Sequence, residues 1–304
     1  MIETVIDILL NAQNPDGGWG AVPGKRSNTE ATSLTLLGLS MWHEAVLAAC
    51  LNRGLTWLTT RQHADGSWSL TDQLHEGSWA TALAILALDF FEPHQQSTLR
   101  GASWLLRQKG RRLGWVASLL YRFAPHTLPY QMNPDLQGWS WAANTFSWVE
   151  PTAYALIALQ KLGSSLQETL AVERIREGER VLYDRMSAGG GWNYGNTQVL
   201  GEHLPPYPET TALALIALQN HPTAEPNQLS LHALRTMLEH VESGLGLSWA
   251  ILCLTLYGHD VSAWRTLLRR TYEQTGFLGE TKTLALALLA LGDGSRVLRT
   301  TTHA

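Results

Sequence analysis

One apolar phrase recurs along this chain and constrains its fold more than any other feature. It reads EATSLTLLGL at 30–39, WATALAILAL at 79–88, EPTAYALIAL at 150–159 and ETTALALIAL at 209–218. A weaker copy, LSWAILCLTLYG, occupies 247–258, and KTLALALLALG occupies 282–292. Self-similarity of this kind marks an array of like structural units. Each phrase is apolar around nearly the whole circumference of a helix, so each helix should be covered on nearly every side. None reaches the roughly 20 residues that a bilayer crossing requires. Small residues such as Ala84, Ala87, Ala155, Ala158, Ala214 and Ala217 recur within the phrases.

Between the phrases lie segments with only one apolar face: 1–13, 44–62, 95–108, 168–187, 227–242 and 261–274. In the first, Val5, Ile6, Leu9 and Leu10 share a face at helical spacing. In the second, Ala45, Leu47, Ala48, Leu51, Leu55 and Leu58 do the same. Turn residues such as NPDGGWG and HADGSW separate the helices. Six one-faced helices alternating with six apolar ones predict an inner ring inside an outer ring: an all-α, single-domain (α/α)6 toroid over 1–304. An open solenoid would need polar end caps, and the helix at 282–292 is too apolar to be one.

The regular spacing is interrupted at about 110–148. Within this insertion Val116 to Phe123 predicts a short extra helix, and the remainder reads as loop rich in Trp and Pro. Long loops in compact domains are usually functional, and this one precedes Glu150, so it is expected to cover one mouth of the ring. Nothing in the chain stands out as a membrane-insertion helix.

Composition limits the function classes. The 22 basic and 26 acidic residues give a net charge of −4, with no basic stripe for nucleic acid. Two cysteines, Cys50 and Cys253, make no disulfide framework, and neither has metal-ligand company at a recognisable spacing, so no zinc and no other cofactor is expected. His203 is a lone loop histidine. No basic region followed by a signal-like apolar core begins the sequence, which points to a cytoplasmic protein. There is no Walker A sequence, no Gly-x-Ser-x-Gly and no aspartate-rich diphosphate–magnesium motif.

Two loops read Gln-x-x-x-Gly-x-Trp: Gln13 with Gly17 and Trp19, and Gln62 with Gly66 and Trp68. A third has Met186 in place of Gln, with Gly190 and Trp192; copies near Trp115 and Trp139 are degenerate. Physically, such a Gln can bond backbone groups left open at a helix end, and the Trp buries a large plane while placing one N–H. These loops resemble the QW motifs of squalene–hopene cyclases and related triterpene cyclases. With the six helix pairs, the chain resembles the superfamily of terpenoid cyclases and protein prenyltransferases, the prenyltransferase/squalene oxidase repeat proteins.

That resemblance implies an isoprenoid-handling pore. In class II cyclases an Asp-x-Asp-Asp motif opens an inner helix before Thr-Ala, and its middle Asp protonates an alkene or epoxide. Matching the Thr-Ala step puts Glu150 and Glu209 at the acid position, and Glu30 at a third; the flanking aspartates are absent. The alternative for all three is a glutamate held at a helix N-terminus, favoured by roughly 0.3–1 kcal/mol. Trp139, Trp141, Trp148, Tyr154, Trp192, Tyr194 and Tyr207 are the candidates for lining an aromatic substrate cavity; Phe146 belongs to the same group. The expected function is protonation-initiated cyclisation of a polyprenyl substrate, leaning toward a class II cyclase-like enzyme. Two alternatives stand beside it: a non-catalytic toroid binding an isoprenoid, a lipid or a protein partner, and a carbohydrate-active α/α toroid.

Overall fold

The computed structural model describes residues 1–42, 46–92, 95–112, 114–124, 132–166 and 168–300. Its inner helices are α2 (Thr29–Leu39), α4 (Thr81–Phe91), α7 (Val149–Leu162), α9 (Pro208–Ala217), α11 (Gly244–Leu256) and α13 (Thr281–Leu291). The outer ones are α1 (Ile2–Asn11), α3 (Leu47–Thr60), α5 (Gln96–Arg107), α8 (Glu168–Asp184), α10 (Glu225–Met237) and α12 (Ser262–Thr275). Packing follows the apolar pattern. α2 lies against α4, α4 against α7, α7 against α9, α9 against α11 and α11 against α13; α13 then returns to α2 and closes the ring. The outer helices lean on the inner ones from outside, α3 and α2, α5 and α4, α8 and α7, α10 and α9, α12 and α11, α1 and α13. The expected all-α toroid is therefore the observed fold. Ala45, placed on the inward face of the second outer helix, lies outside the described residues.

Inner helices are buried along almost their full length; Leu83 to Leu88 and Leu213 to Ala217 show 2% exposure or less. An element apolar all round can only be stable where neighbours cover it all round. Outer helices bury one face, as Val5, Ile6 and Leu9 do in α1.

The tryptophan loops lock each unit to the next. Trp19 Nε1 donates to Leu9 O at 2.7 Å, Trp68 Nε1 to Leu58 O at 2.8 Å and Trp192 Nε1 to Leu182 O at 2.6 Å. Their backbone N–H groups donate to threonine hydroxyls on the inner helices, Thr32, Thr81 and Thr211. Gln13 Nε2 reaches Gly17 O and Cys50 O on α3; Gln62 Nε2 reaches Gly66 O and Ser97 O on α5. Glycines on the outer helices make room: a Cβ on Gly54 would stand 2.7 Å from Trp19, and one on Gly101 2.9 Å from Trp68.

The insertion adds α6 (Trp115–Phe123) and then rejoins the pattern. Trp139 keeps the same pin, its Nε1 donating to Leu105 O at 2.9 Å and its N to Thr152 Oγ1. Here Arg174 replaces the glutamine: it is buried, lies 4.1 Å over the Trp139 ring, and donates to Gln137 O and Gln108 O. Trp115 takes no part in a pin; its side chain is 79% exposed. Residues 125–131 of the expected mouth-covering loop lie outside the described residues.

Candidate functional site

Outer helices carry the chain back each time, so the six inner helices run the same way and open at one mouth. One position of the repeat stands at that mouth: the phrases begin with Glu30, Trp79, Glu150, Glu209 and Lys282. Four of these are the second residue of α2, α7, α9 and α13. Unpaired N–H groups and the helix dipole favour the glutamates there.

The charges interact across the mouth. Lys282 Nζ lies 3.1 Å from Glu30 Oε1. Burial pushes the Glu150 carboxyl up to about 7; Glu30 and Glu209 push the same way, while Lys282 and the Tyr154 hydroxyl pull against them. Burial pulls Lys282 down, but Glu30, Glu150 and Glu280 outweigh it and hold the ammonium above the usual lysine range. Tyr154 donates to Glu150 Oε1 at 3.4 Å, and Tyr194 to Glu209 Oε1 at 2.8 Å. Glu150 is thus a carboxyl poised between its two protonation states near neutral pH, with a cation and a phenol facing its charged form.

Below this charged rim is an aromatic floor. Trp79 stacks on Tyr154 with ring centroids 5.7 Å apart, and Tyr154 lies 6.0 Å from Trp249. Trp79 precedes α4 and Trp249 belongs to α11, which stands diametrically opposite α4 in the ring. The three rings therefore bridge the pore from wall to wall. Trp141 meets Trp79 edge-on at 4.8 Å. On the outer side of Trp79 a cleft of about 130 Å³ opens between Trp104, Trp141, Lys109, Asn144 and Pro151.

The residues expected from the sequence fall into two groups. Glu150, Glu209, Tyr154, Tyr194 and Tyr207 come together at the mouth, with Tyr194 and Tyr207 rings 5.4 Å apart on the rim. Trp148 packs its ring on Gly195 beside them. Trp141 joins the floor through Trp79. Trp139 and Trp192 do not share this placement: both are buried with their indole N–H groups committed to outer-helix carbonyls, so they pack the repeat. Phe146 lies under the Arg111 guanidinium, 5.7 Å from it. Sequence reasoning missed Lys282, Trp79 and Trp249. For the first two a signal existed, because they occupy the same repeat position as the glutamates.

Among the described residues no three His, Cys, Asp or Glu side chains are grouped to hold a metal ion. Burial pushes the Cys50 thiol up to about 11 and Cys253 further in the same direction, so neither is a ready thiolate ligand. His203 sits in a short exposed hairpin, β1 (Gln198–Val199) and β2 (Glu202–His203). No described helix is long and apolar enough to cross a membrane.

No protein-family model and no curated protein matches this sequence. Solved structures do. A variant of type II terpene cyclase MstE from Scytonema, in complex with geranylgeranyl dihydroxybenzoate as substrate, matches with a TM-score of 0.59 at 15% identity, over 97% of this chain and 96% of that one. A protein from Actinoplanes matches with a TM-score of 0.57 at 13% identity, over 98% of both chains. Salmonella alpha-2-macroglobulin reacted with methylamine matches with a TM-score of 0.53 at 16% identity, over 95% of this chain and 17% of that one. The chain has a squalene–hopene cyclase-like toroid fold, shared with type II terpene cyclase MstE over 97% of its length.

Proposed function

We propose that the mouth is the active site of a protonation-initiated cyclase acting on a prenyl substrate, with Glu150 as the proton donor. The observation that carries this reading is the Glu150 carboxyl, pushed up to about 7 directly above the Trp79–Tyr154–Trp249 floor. An acid used at neutral pH is most effective with a pKa near that pH. The carboxylate it leaves behind has Lys282 and the Tyr154 hydroxyl to stabilise it. In class II cyclases that support comes from neighbouring aspartates; here it would be drawn from Lys282 on α13 and from Tyr154, one turn along α7 from Glu150.

The chemistry balances as an isomerisation. The Glu150 proton adds to a terminal alkene or epoxide, whose electrons form the new C–H or O–H bond and leave a carbocation. Ring closure moves the cation along the chain over the aromatic faces, each worth roughly 0.5–2 kcal/mol. Loss of a proton to a carboxylate ends the reaction. Glu209 is the candidate acceptor, its Oε1 already receiving the Tyr194 hydroxyl. MstE, with the same architecture, is described with a prenylated aromatic acid as its substrate. That supports an apolar isoprenoid-type ligand.

A second reading follows from the floor itself. Rings that touch across the pore close it below the rim, and that favours a toroid that binds an isoprenoid, lipid or partner without turning it over. The alpha-2-macroglobulin match shows that the fold also occurs within a much longer protein of another kind.

Gas chromatography–mass spectrometry separates the two. The protein is incubated with farnesyl and geranylgeranyl diphosphates, squalene, oxidosqualene and a geranylgeranyl dihydroxybenzoate. A cyclic product that disappears in Glu150→Gln is the expected result. Unchanged substrate recovered bound to the protein supports the binding toroid, and neither turnover nor binding overturns both readings.

A further inference from the structure

Lys109 stands where the repeat places a glutamine. It lies five residues after Trp104, as Gln62 lies five after Trp57. Gln62 commits its side chain to Gly66 O and Ser97 O. In the next unit Arg174 reaches over from α8 and donates to Gln108 O and Gln137 O instead. Lys109 is thereby released from the pin. It is exposed at the edge of the cleft that opens beside Trp79, Trp104 and Trp141.

The walls of that cleft are fixed by the fold. One is the segment after α5 and the other is the loop before α7. Gly110 N donates to Gly138 O at 2.9 Å, and Arg111 N to Thr145 O at 2.8 Å. Gln137 Nε2 donates to Gly110 O at 2.6 Å. Asn144 turns the loop at a φ of 59°, in the left-handed region that asparagine tolerates. A site fixed before binding loses little entropy when it fills.

Size, shape and charge point to one kind of occupant. The cleft holds about 130 Å³, close to the roughly 150 Å³ of an apolar cavity that takes one benzene. Trp79 and Trp141 stand at 83° to each other with ring centroids 4.8 Å apart. A flat ring parallel to one indole presents its edge to the face of the other, an arrangement that aromatic rings prefer. A sugar ring in the same corner would press its hydroxyls on an indole face. From 93 to 134 the chain contains no Asp or Glu, yet Arg107, Lys109, Arg111 and Arg112 fall within it. Arg107 donates to Asp65 O and Arg111 lies against Phe146, which leaves Lys109 as the cation lining the cleft. One ammonium with the amides of Gln108 and Asn144 beside it matches a single negative charge with two acceptor oxygens.

We propose that this cleft binds a single-ring aromatic carboxylate, its ring against the indoles and its carboxylate on Lys109. Trp79 is shared with the pore floor, where it stacks on Tyr154, so the ligand adjoins the pore without entering it. The site goes beyond the proposed chemistry at the mouth and does not depend on it.

Benzoate titration into the intact protein, labelled at its indole nitrogens and followed by NMR, tests the site. The signals of Trp79, Trp104 and Trp141 should shift with a Kd of about 1 mM or below, while those of the buried pins Trp19, Trp68 and Trp192 stay in place. Cyclohexanecarboxylate keeps the charge and loses the aromatic ring; benzyl alcohol keeps the ring and loses the charge. Each should bind at least about fivefold more weakly than benzoate. Lys109→Met alters an exposed side chain, so its circular dichroism should match the wild type. It should weaken benzoate by about fivefold and leave benzyl alcohol unchanged. Trp141→Ala should abolish the shifts at Trp79 and Trp104. Absence of benzoate shifts at the three indoles overturns the inference. So does equal binding of either analogue, or wild-type affinity for benzoate in Lys109→Met. Preference for glucuronate over benzoate would assign the cleft to a sugar acid and overturn it too.

Discussion

Lys282 on α13 pairs with Glu30 on α2, Nζ to Oε1 at 3.1 Å, across the seam where the last inner helix meets the first. One ion pair thus both joins the ends of the repeat and supplies the positive charge that faces Glu150. Removing it has two separable effects. Lys282→Met should raise the Glu150 pKa above its value of about 7, because an opposing cation is lost. It should also cost about 1–3 kcal/mol of stability by leaving Glu30 partly buried without its partner. Carboxyl titration by NMR reads the first and urea denaturation the second.

Glu150 should make stability pH-dependent in a defined direction. Its carboxyl stands at about 7 in the folded chain against a reference of 4.5. Below pH 4.5 both states are protonated and the group contributes no difference. Between pH 4.5 and 7 the folded state holds the proton more tightly, so stability falls as pH rises; above 7 the loss is complete. Glu150→Gln removes the titration. The variant should exceed the wild type by about 1–3 kcal/mol at pH 8 and match it near pH 4.5. A difference that does not change with pH would contradict the buried carboxyl.

The aromatic floor can be opened without touching the rim. Trp249 is 3% exposed and meets Tyr154 from the far wall. Trp249→Ala should destabilise by about 3–5 kcal/mol through the cavity it leaves. It should also admit a small apolar probe into the pore, read as a rise in melting temperature on adding the probe that the wild type does not show.

The tryptophan pins carry stability and no chemistry. Trp68→Phe removes one of the two hydrogen bonds that Leu58 O accepts, the other coming from the Arg61 N–H, and should cost about 0.5–1.5 kcal/mol through the lost bond. Gly101→Ala should cost about 1–3 kcal/mol by pressing a methyl into Trp68 and Ile85. Both should lower the urea midpoint and leave the Glu150 titration unchanged.

Much of the site was legible once the repeat position was recognised. Glu150 and Glu209 stand at the head of apolar phrases, and so does Lys282, whose charge on an otherwise apolar helix was the available signal. Trp79 fills the same position on α4. Trp249 gave no such signal, because its phrase is the weak copy and the ring enters the floor from a different position. Trp139 and Trp192 look in sequence like Trp141 and Trp148; only the direction of the ring separates a repeat pin from a mouth residue.

The sequence alone determined the ring. Six helices apolar on every side have no stable arrangement in water except one in which they cover each other, and one-faced helices between them must lie outside. The tryptophan spacing likewise determined the pins of Trp19, Trp68 and Trp192, whose indole N–H groups each donate to the carbonyl 10 residues earlier in the chain. Tertiary structure alone decided the chemistry of the mouth. The Glu150 pKa depends on Lys282, Glu30 and Glu209, which come from helices far apart in sequence. Desolvation and charge act through space, and the closure of α13 onto α2 is what places those groups within reach of one another.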